Sequence, residues 1–361
     1  MRIGLALSGG GFRAALFNLG SFYRLNDLCL LQKIERFSSV SGGSITSGLL
    51  GIRWNSLTFD SQGRATNLHE VVGIPILSFC GKSVDLPSAL RGIVKPLSSV
   101  GNELAKVYRK ELFGDATLQD LPQSPRFIIN ATNMQTGANF RFDRQCLHDY
   151  KIGDYPNPEV SVATAVAASS AFPPFLSPTK LHTDPTKWQK TSYARLFDRE
   201  ELRRDIVLTD GGVYDNMGLE AIWKDMDVVL VSDAGAPLPI ESKPWLNYLS
   251  QSVRIIDLIT EQTRALRKRK LIDDFTAQVR KGTYWGITTK IGDYQLKDPM
   301  TKDKFQTEQL CKIRTRLNPF WGWEKGELIN WGYALADAAI RKHWPQQNSA
   351  PGSWPMPEDK L

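Results

Sequence analysis

Twice within the first fifty residues an apolar run stops at a turn of glycine and serine, and a helix-periodic run begins. Ile3-Gly4-Leu5-Ala6-Leu7 leads into Ser8-Gly9-Gly10-Gly11-Phe12-Arg13, after which Ala14, Ala15, Leu16, Leu19, Phe22, Tyr23 and Leu25 recur at helical spacing to about residue 26. Residues 34–40 form the second run, which ends at Val40-Ser41-Gly42-Gly43 before a helix over 44–50. Strand, turn, helix, strand, turn, helix predicts a mainly parallel central sheet covered by helices on both faces. Parallel neighbours need a crossover, and the crossovers here are helical. Such sheets place their ligands at the carboxyl ends of the strands.

Those ends carry the chemistry. Ser41 stands alone between an apolar run and two glycines, the pattern of a nucleophile on a sharp strand-to-helix turn. A third glycine turn, Asp210-Gly211-Gly212, follows the apolar run 206–209. Read jointly, Ser41 is the nucleophile and the amides of Gly10 and Gly11, at a helix start, form an oxyanion hole. Asp210 is the base, or orients one. A histidine is the usual partner, but His69, His148, His182 and His343 fall in polar, surface-like or weakly patterned stretches. The pattern therefore favours a Ser41–Asp210 dyad, with Asp233 the runner-up base, Asp205 a further nearby carboxylate and Asp215 a holder of the turn. An ordinary carboxylate, with a pKa of ~3.9, is a weak base, so burial must raise it.

With 361 residues, 42% hydrophobic and 23% charged, the chain suits a globular α/β protein. No run approaches the ~20 apolar residues of a membrane span, and the first apolar run is too short for a secretory signal. Cys29, Cys80, Cys146 and Cys311 are scattered, as in a reducing cytosol, and with the dispersed histidines they suggest neither metal nor cofactor. A cytoplasmic location with peripheral membrane association is expected.

Further along, residues 53–125 read as a helical insertion, 126–133 and 139–143 as a hairpin, and 160–168 as a small-residue helix stopped by prolines. Residues 179–204 read as a polar surface excursion and 227–232 as a buried strand. A long amphipathic helix is expected over 246–271, with apolar residues at 246, 249, 253, 256, 259 and 266. An edge strand is expected over 283–291 and a closing helix over 326–343. One domain over 1–345 results, with its motif-bearing core in 1–235, a helical and basic part in 241–345, and a loose tail over 346–361.

Four stretches in this order resemble the patatin-like phospholipases. Gly9-Gly10-Gly11-Phe12-Arg13-Ala14 is similar to that family's glycine-rich oxyanion loop, with an arginine near its end. Ser39-Val40-Ser41-Gly42-Gly43 resembles its G-x-S-x-G elbow. The 168–175 segment is similar to its small-residue stretch that turns at proline, and Asp210-Gly211-Gly212, with Asn216 following, resembles its D-G-[AG] motif. Asn130-Ala131-Thr132-Asn133 adds a weaker match. Ala14 and Ser39 each replace a motif glycine. The resemblance implies a patatin-like α/β fold and a lipid acyl hydrolase of the carboxylic-ester class, acting through an acyl-enzyme. Its residues would be Ser41 and Asp210, the loop Gly9, Gly10, Gly11 and Arg13, and the supports Ser39, Gly43, Gly211 and Gly212. Phospholipids, lysophospholipids or galactolipids would be the substrates.

The net charge of +7 is uneven: residues 241–290 hold ten Lys/Arg against five Asp/Glu, and 82–110 six against two. No nucleic-acid partner is expected. An anionic membrane could be met by the basic face of the 246–271 helix and by Trp54, Trp245 or Phe172. Arg13 pairs with a headgroup phosphate, supports the oxyanion loop, or caps a helix at the surface. Two alternatives use the same dyad: a lipid transacylase, and a phospholipase effector regulated by a nucleotide or partner. A pure nucleotide binder would leave Ser41 and Asp210 idle, and a scaffold would need three catalytic-looking turns by accident.

Overall fold

The computed structural model describes residues 1–84, 99–235, 237–244, 247–344 and 350–361, without the Leu249 side chain. Much of the basic 82–110 stretch, together with Trp245 and Leu246, lies outside the described residues. Five strands form the parallel half of a ten-stranded sheet: β1 (Ile3–Leu7), β2 (Ile34–Val40), β3 (Arg126–Asn133), β9 (Val228–Asp233) and β10 (Lys281–Gly286), in the order β10-β9-β1-β2-β3. Beyond β3 the sheet turns antiparallel through β4 (Asn139–Phe142), β5 (Cys146–Asp149) and β6 (Gly153–Pro156). The hairpin 139–143 and the buried strand before Asp233 are where the sequence puts them. β10 is the edge strand, but it ends at Gly286.

One relation was not foreseen. β8 (Asp205–Asp210) is not parallel to the others; it pairs antiparallel with β3 and with β7 (Thr179–His182), so the 179–204 excursion begins as a strand. Val40 is in register with Asn130 and Asp210 with Ala131. Along one side of β3, then, β2 ends and β8 arrives from the opposite direction. The two strands meet head-on, with Ser41 and Asp210 at the junction.

The α-helices among the described residues are α1 (Gly11–Asp27), α2 (Gly42–Arg53), α3 (Ile74–Phe79), α4 (Val100–Tyr108), α5 (Val162–Ser169), α6 (Glu201–Arg204), α7 (Gly212–Asp215), α8 (Tyr248–Thr276), α9 (Phe305–Leu310) and α10 (Gly322–His343). α3 and α4 belong to the expected insertion, and α4 packs on α5. No helix among the described residues is long and apolar enough to cross a membrane.

α1 is buried from Gly11 to Asn26 because α10 lies across it. The crossing is tight at two glycines: a Cβ on Gly20 would overlap the carbonyl of Ile329, and one on Gly332 the carbonyl of Phe17. Around them Arg24 and Asp337 form a buried ion pair at 2.5 Å. The closing segment 350–361 is packed rather than loose. Asn330 donates to the carbonyls of Met356 and Asp359, and Arg24 to that of Ala350.

α8 departs most from expectation. Ile259 and Leu266, placed on its buried face, are exposed. Its basic residues turn inward: Arg264 pairs with Asp233 at 2.6 Å, Arg267 lies 3.6 Å from Asp215, and Lys268 sits over the Tyr284 ring. Buried carboxylates at the strand ends outbid solvent for these cations. Trp54 is buried, so it cannot contact a membrane as expected; Phe172 is partly exposed, and α8 keeps Arg269 and Lys270 exposed.

The α1–α10 crossing gives a test. Gly332→Ala or Gly20→Ala should destabilise the protein by about 1–3 kcal/mol, because helix backbones must separate. Gly322→Ala, in open space at the start of α10, should be neutral or gain up to about 1 kcal/mol. Urea denaturation of the three variants measures this.

Candidate active site

β2 is followed at once by α2, leaving Ser41 no room for an ordinary turn. Its φ is +49° and ψ −119°, a region that costs a non-glycine residue about 1–3 kcal/mol. The surroundings hold it there. The Ser41 amide donates to Ser169 Oγ at 2.9 Å, and its carbonyl accepts from the Ser44 and Ile45 amides that open α2. Ser169 Oγ in turn donates to the Asn130 carbonyl at 2.6 Å. Ser44 Oγ lies 3.0 Å from Ser169 Oγ and donates to Ser39 Oγ, which donates to the Ile128 carbonyl. Ser39, which stands where the motif has glycine, thus bonds the elbow to β3.

The glycine loop presses against this elbow. A Cβ on Gly9 would come within 3.1 Å of Ser41 Cβ, and one on Gly42 would overlap the Gly11 carbonyl. A Cβ on Gly43 would meet the Leu7 and Ser8 carbonyls. Gly10 and Gly11 adopt φ of +138° and +56°, and α1 starts at Gly11. First-turn amides of a helix have no intrahelical acceptor. The positive end of α1 therefore lies beside the serine.

Asp210 ends β8. Its amide donates to the Ala171 carbonyl at 3.0 Å and its carbonyl accepts from Thr132 Oγ1. Its carboxylate accepts the Gly212 amide at 2.6 Å, and the nearby Ser41 hydroxyl also favours its charged form. Gly211 donates its amide to the Ser169 carbonyl. One residue, Ser169, therefore ties both halves of the site, through its hydroxyl to Ser41 and through its carbonyl to the Asp210 turn. Asp210 is 2% exposed, and burial raises its pKa to about 7 against the pull of those two donors. Gly212 approaches Asp210 Oδ1 and Asn216 Oδ1, and the Asn216 carbonyl accepts the Gly9 amide.

The other carboxylates are engaged elsewhere. Asp233 accepts from Arg264 and from the Tyr284 hydroxyl, and although burial works against it, those partners hold its carboxylate below the usual range. Held in that way, Asp233 is a weaker base than Asp210. Asp215 accepts the Met217 and Glu220 amides and holds the turn, and Asp205 is exposed beside His182. The remaining histidines are also placed away from Ser41: His69 on Tyr23, His148 on Asp154, His343 against the Tyr294 ring.

Arg13 is not a surface cap. It is 4% exposed, donates to the carbonyls of Ala234, Cys311 and Ile313, and is lowered by burial to about pKa 10. It binds the post-β9 loop and a distant segment to the base of α1. The role of Ser169 was missed; its only sequence signal was a serine in a small-residue helix end.

The sequence model of one family, described as Patatin-like phospholipase, matches residues 5–223. No curated protein sequence matches the chain. Among solved structures, human GIVD cytosolic phospholipase A2 matches at TM-score 0.51 and 14% identity, over 96% of this chain and 62% of that one. The same protein in complex with methyl gamma-linolenyl fluorophosphonate matches at TM-score 0.53 and 14% identity, over 96% and 58%. VipD from Legionella pneumophila matches at TM-score 0.39 and 16% identity, over 95% and 67%. The chain thus spans about three fifths of the human structure's length, and at this identity the likeness is one of fold.

Asp210 makes a stability prediction whose sign is opposite to that of most aspartates. Its folded pKa of about 7 lies above the ~3.9 of an unfolded chain. Folding is therefore unpenalised below pH ~3.9, loses stability as pH rises from there, and carries the full loss above about 7. Asp210→Asn should stabilise the protein at pH 8 by up to about 4 kcal/mol and by almost nothing at pH 4. Urea denaturation at the two pH values reads the difference directly.

Proposed function

Because the chain belongs to the patatin-like phospholipase family, we propose that it is a lipid acyl hydrolase in which Ser41 attacks the ester and Asp210 is its base. The observation that carries this is the buried Asp210 carboxylate, raised to a pKa of about 7, beside a Ser41 hydroxyl that works against that rise. A base poised near the working pH accepts a proton far better than an ordinary carboxylate. Ser41 Oγ adds to the ester carbonyl as its proton passes to Asp210. The oxyanion forms at the Gly10 and Gly11 amides, where the positive end of α1 stabilises it. Collapse expels the alcohol or lysolipid, which takes the proton from Asp210, and leaves an acyl group on Ser41. Water, deprotonated by Asp210, releases the acid and restores the serine.

Supporting roles follow from the contacts. Gly42 and Gly43 let the elbow approach the glycine loop, Gly211 and Gly212 let the Asp210 turn approach Ser169 and Asn216, and Ser39 braces β2. Arg13 positions the loop through backbone carbonyls, which its two terminal guanidinium nitrogens bond.

Ser41→Ala should lower kcat/KM on a phospholipid or short-chain ester by about 10³-fold or more, and a fluorophosphonate should label Ser41 in the wild type alone. Wild-type kcat/KM should fall tenfold per pH unit below about 7, as Asp210 gains its proton. Full activity in Ser41→Ala, or labelling elsewhere, would refute the reading.

A further inference from the structure

Arg264, Arg267 and Lys268 of α8 turn inward, while a second group of exposed cations lies on a later segment. Lys297, Lys302 and Lys304 line a cleft of about 480 Å³. It adjoins, at Lys304 and Phe305, a second cleft of about 310 Å³ lined by Phe305, Leu310, Ile313 and Trp323. Phe305, Trp321 and Trp323 are 78%, 70% and 54% exposed, in a chain that buries most of its aromatic side chains. Lys312 and Arg316 are exposed on the same segment. Of the nearby acidic groups, two are paired with cations and two accept from neutral groups, and Asp298 also lines the lysine cleft. Asp303 takes the Ile291 and Gly292 amides, Glu308 pairs with Lys290, Asp298 with Arg341, and Glu327 accepts from Gln306.

We propose that residues 297–325 are the surface by which this protein docks on an anionic phospholipid bilayer. Charge complementarity selects that occupant. Lysines grouped on one face are drawn to anionic headgroups, while tryptophan and phenylalanine settle at the headgroup level with their rings toward the acyl chains. A neutral protein groove would match the aromatic cleft and leave the lysine cleft without a counterpart.

The face is joined to the catalytic loop. Arg13, in the first turn of α1, grips the carbonyls of Cys311 and of Ile313, which also lines the aromatic cleft. The Thr315 carbonyl occupies the place that a Gly11 Cβ would take. Docking through 297–325 therefore sets the bilayer against the segment that touches the oxyanion loop. This consequence rests on the hydrolase reading; docking itself does not.

Vesicle flotation of the full chain tests it, with phosphatidylcholine alone and with phosphatidylcholine plus phosphatidylglycerol. The wild type should float with the anionic vesicles and be released by salt. Lys302→Glu with Lys304→Glu, and separately Trp321→Ala with Trp323→Ala, should each lower the bound fraction about tenfold or more. Tyr193→Ala, an exposed aromatic elsewhere, should bind as the wild type does. Brominated lipid should quench tryptophan fluorescence in the wild type and much less in the Trp321/Trp323 variant. Ser41→Ala should bind fully, and a wild type that docks but hydrolyses no lipid ends the hydrolase reading alone. Thermal melts show that each variant is folded. Undiminished binding by the folded patch variants overturns the proposal, as does a dimer abolished by them while vesicle binding persists.

Discussion

A carboxylate supported only by neutral groups lies at the centre of this molecule. Asp210 and Asp233 both end strands and both are buried, yet their fates differ. Asp233 has Arg264 and Tyr284 and is settled as an anion. Asp210 has an amide and a hydroxyl, from Gly212 and Ser41, and its pKa rises to about 7. Desolvation without a cation is what makes it basic, and the group it would deprotonate is the nearby Ser41 hydroxyl. A cation at Asp210 would stabilise the fold and remove the base.

Keeping that pair together falls to backbone packing. β2 and β8 approach head-on along one side of β3, so Ser41 and Asp210 meet at a junction where neither strand can continue. Gly42 against Gly11 and Gly9 against Ser41 close the third side. Ser169, at the end of α5, stitches the two turns together. The strained serine is thus over-determined by its neighbours, which is how such a conformation persists.

Much of this was legible in the sequence, and the exceptions have physical reasons. The parallel strands, their glycine turns, Ser41, Asp210 and the absence of a suitably placed histidine all follow from local patterns. The direction of β8 does not, because a short apolar run reads the same either way and only pairing along β3 decides it. The basic run on α8 read as a face for an anionic membrane, yet Arg264 and Arg267 serve buried carboxylates more than thirty residues away in sequence. Arg13 was open to three readings for a similar reason: its partners are backbone carbonyls, which leave no trace in residue type. Aromatic residues in 305–323 show no periodicity, so their exposure became visible only once α9 and α10 were placed.

The most direct measurement of the central claim is a ¹³C NMR titration of the Asp210 carboxyl, assigned by comparison with Asp210→Asn. The account predicts a single titration near pH 7 that moves when the Ser41 hydroxyl is removed. An Asp210 carboxyl already ionised at pH ~4, as in an exposed aspartate, would contradict it.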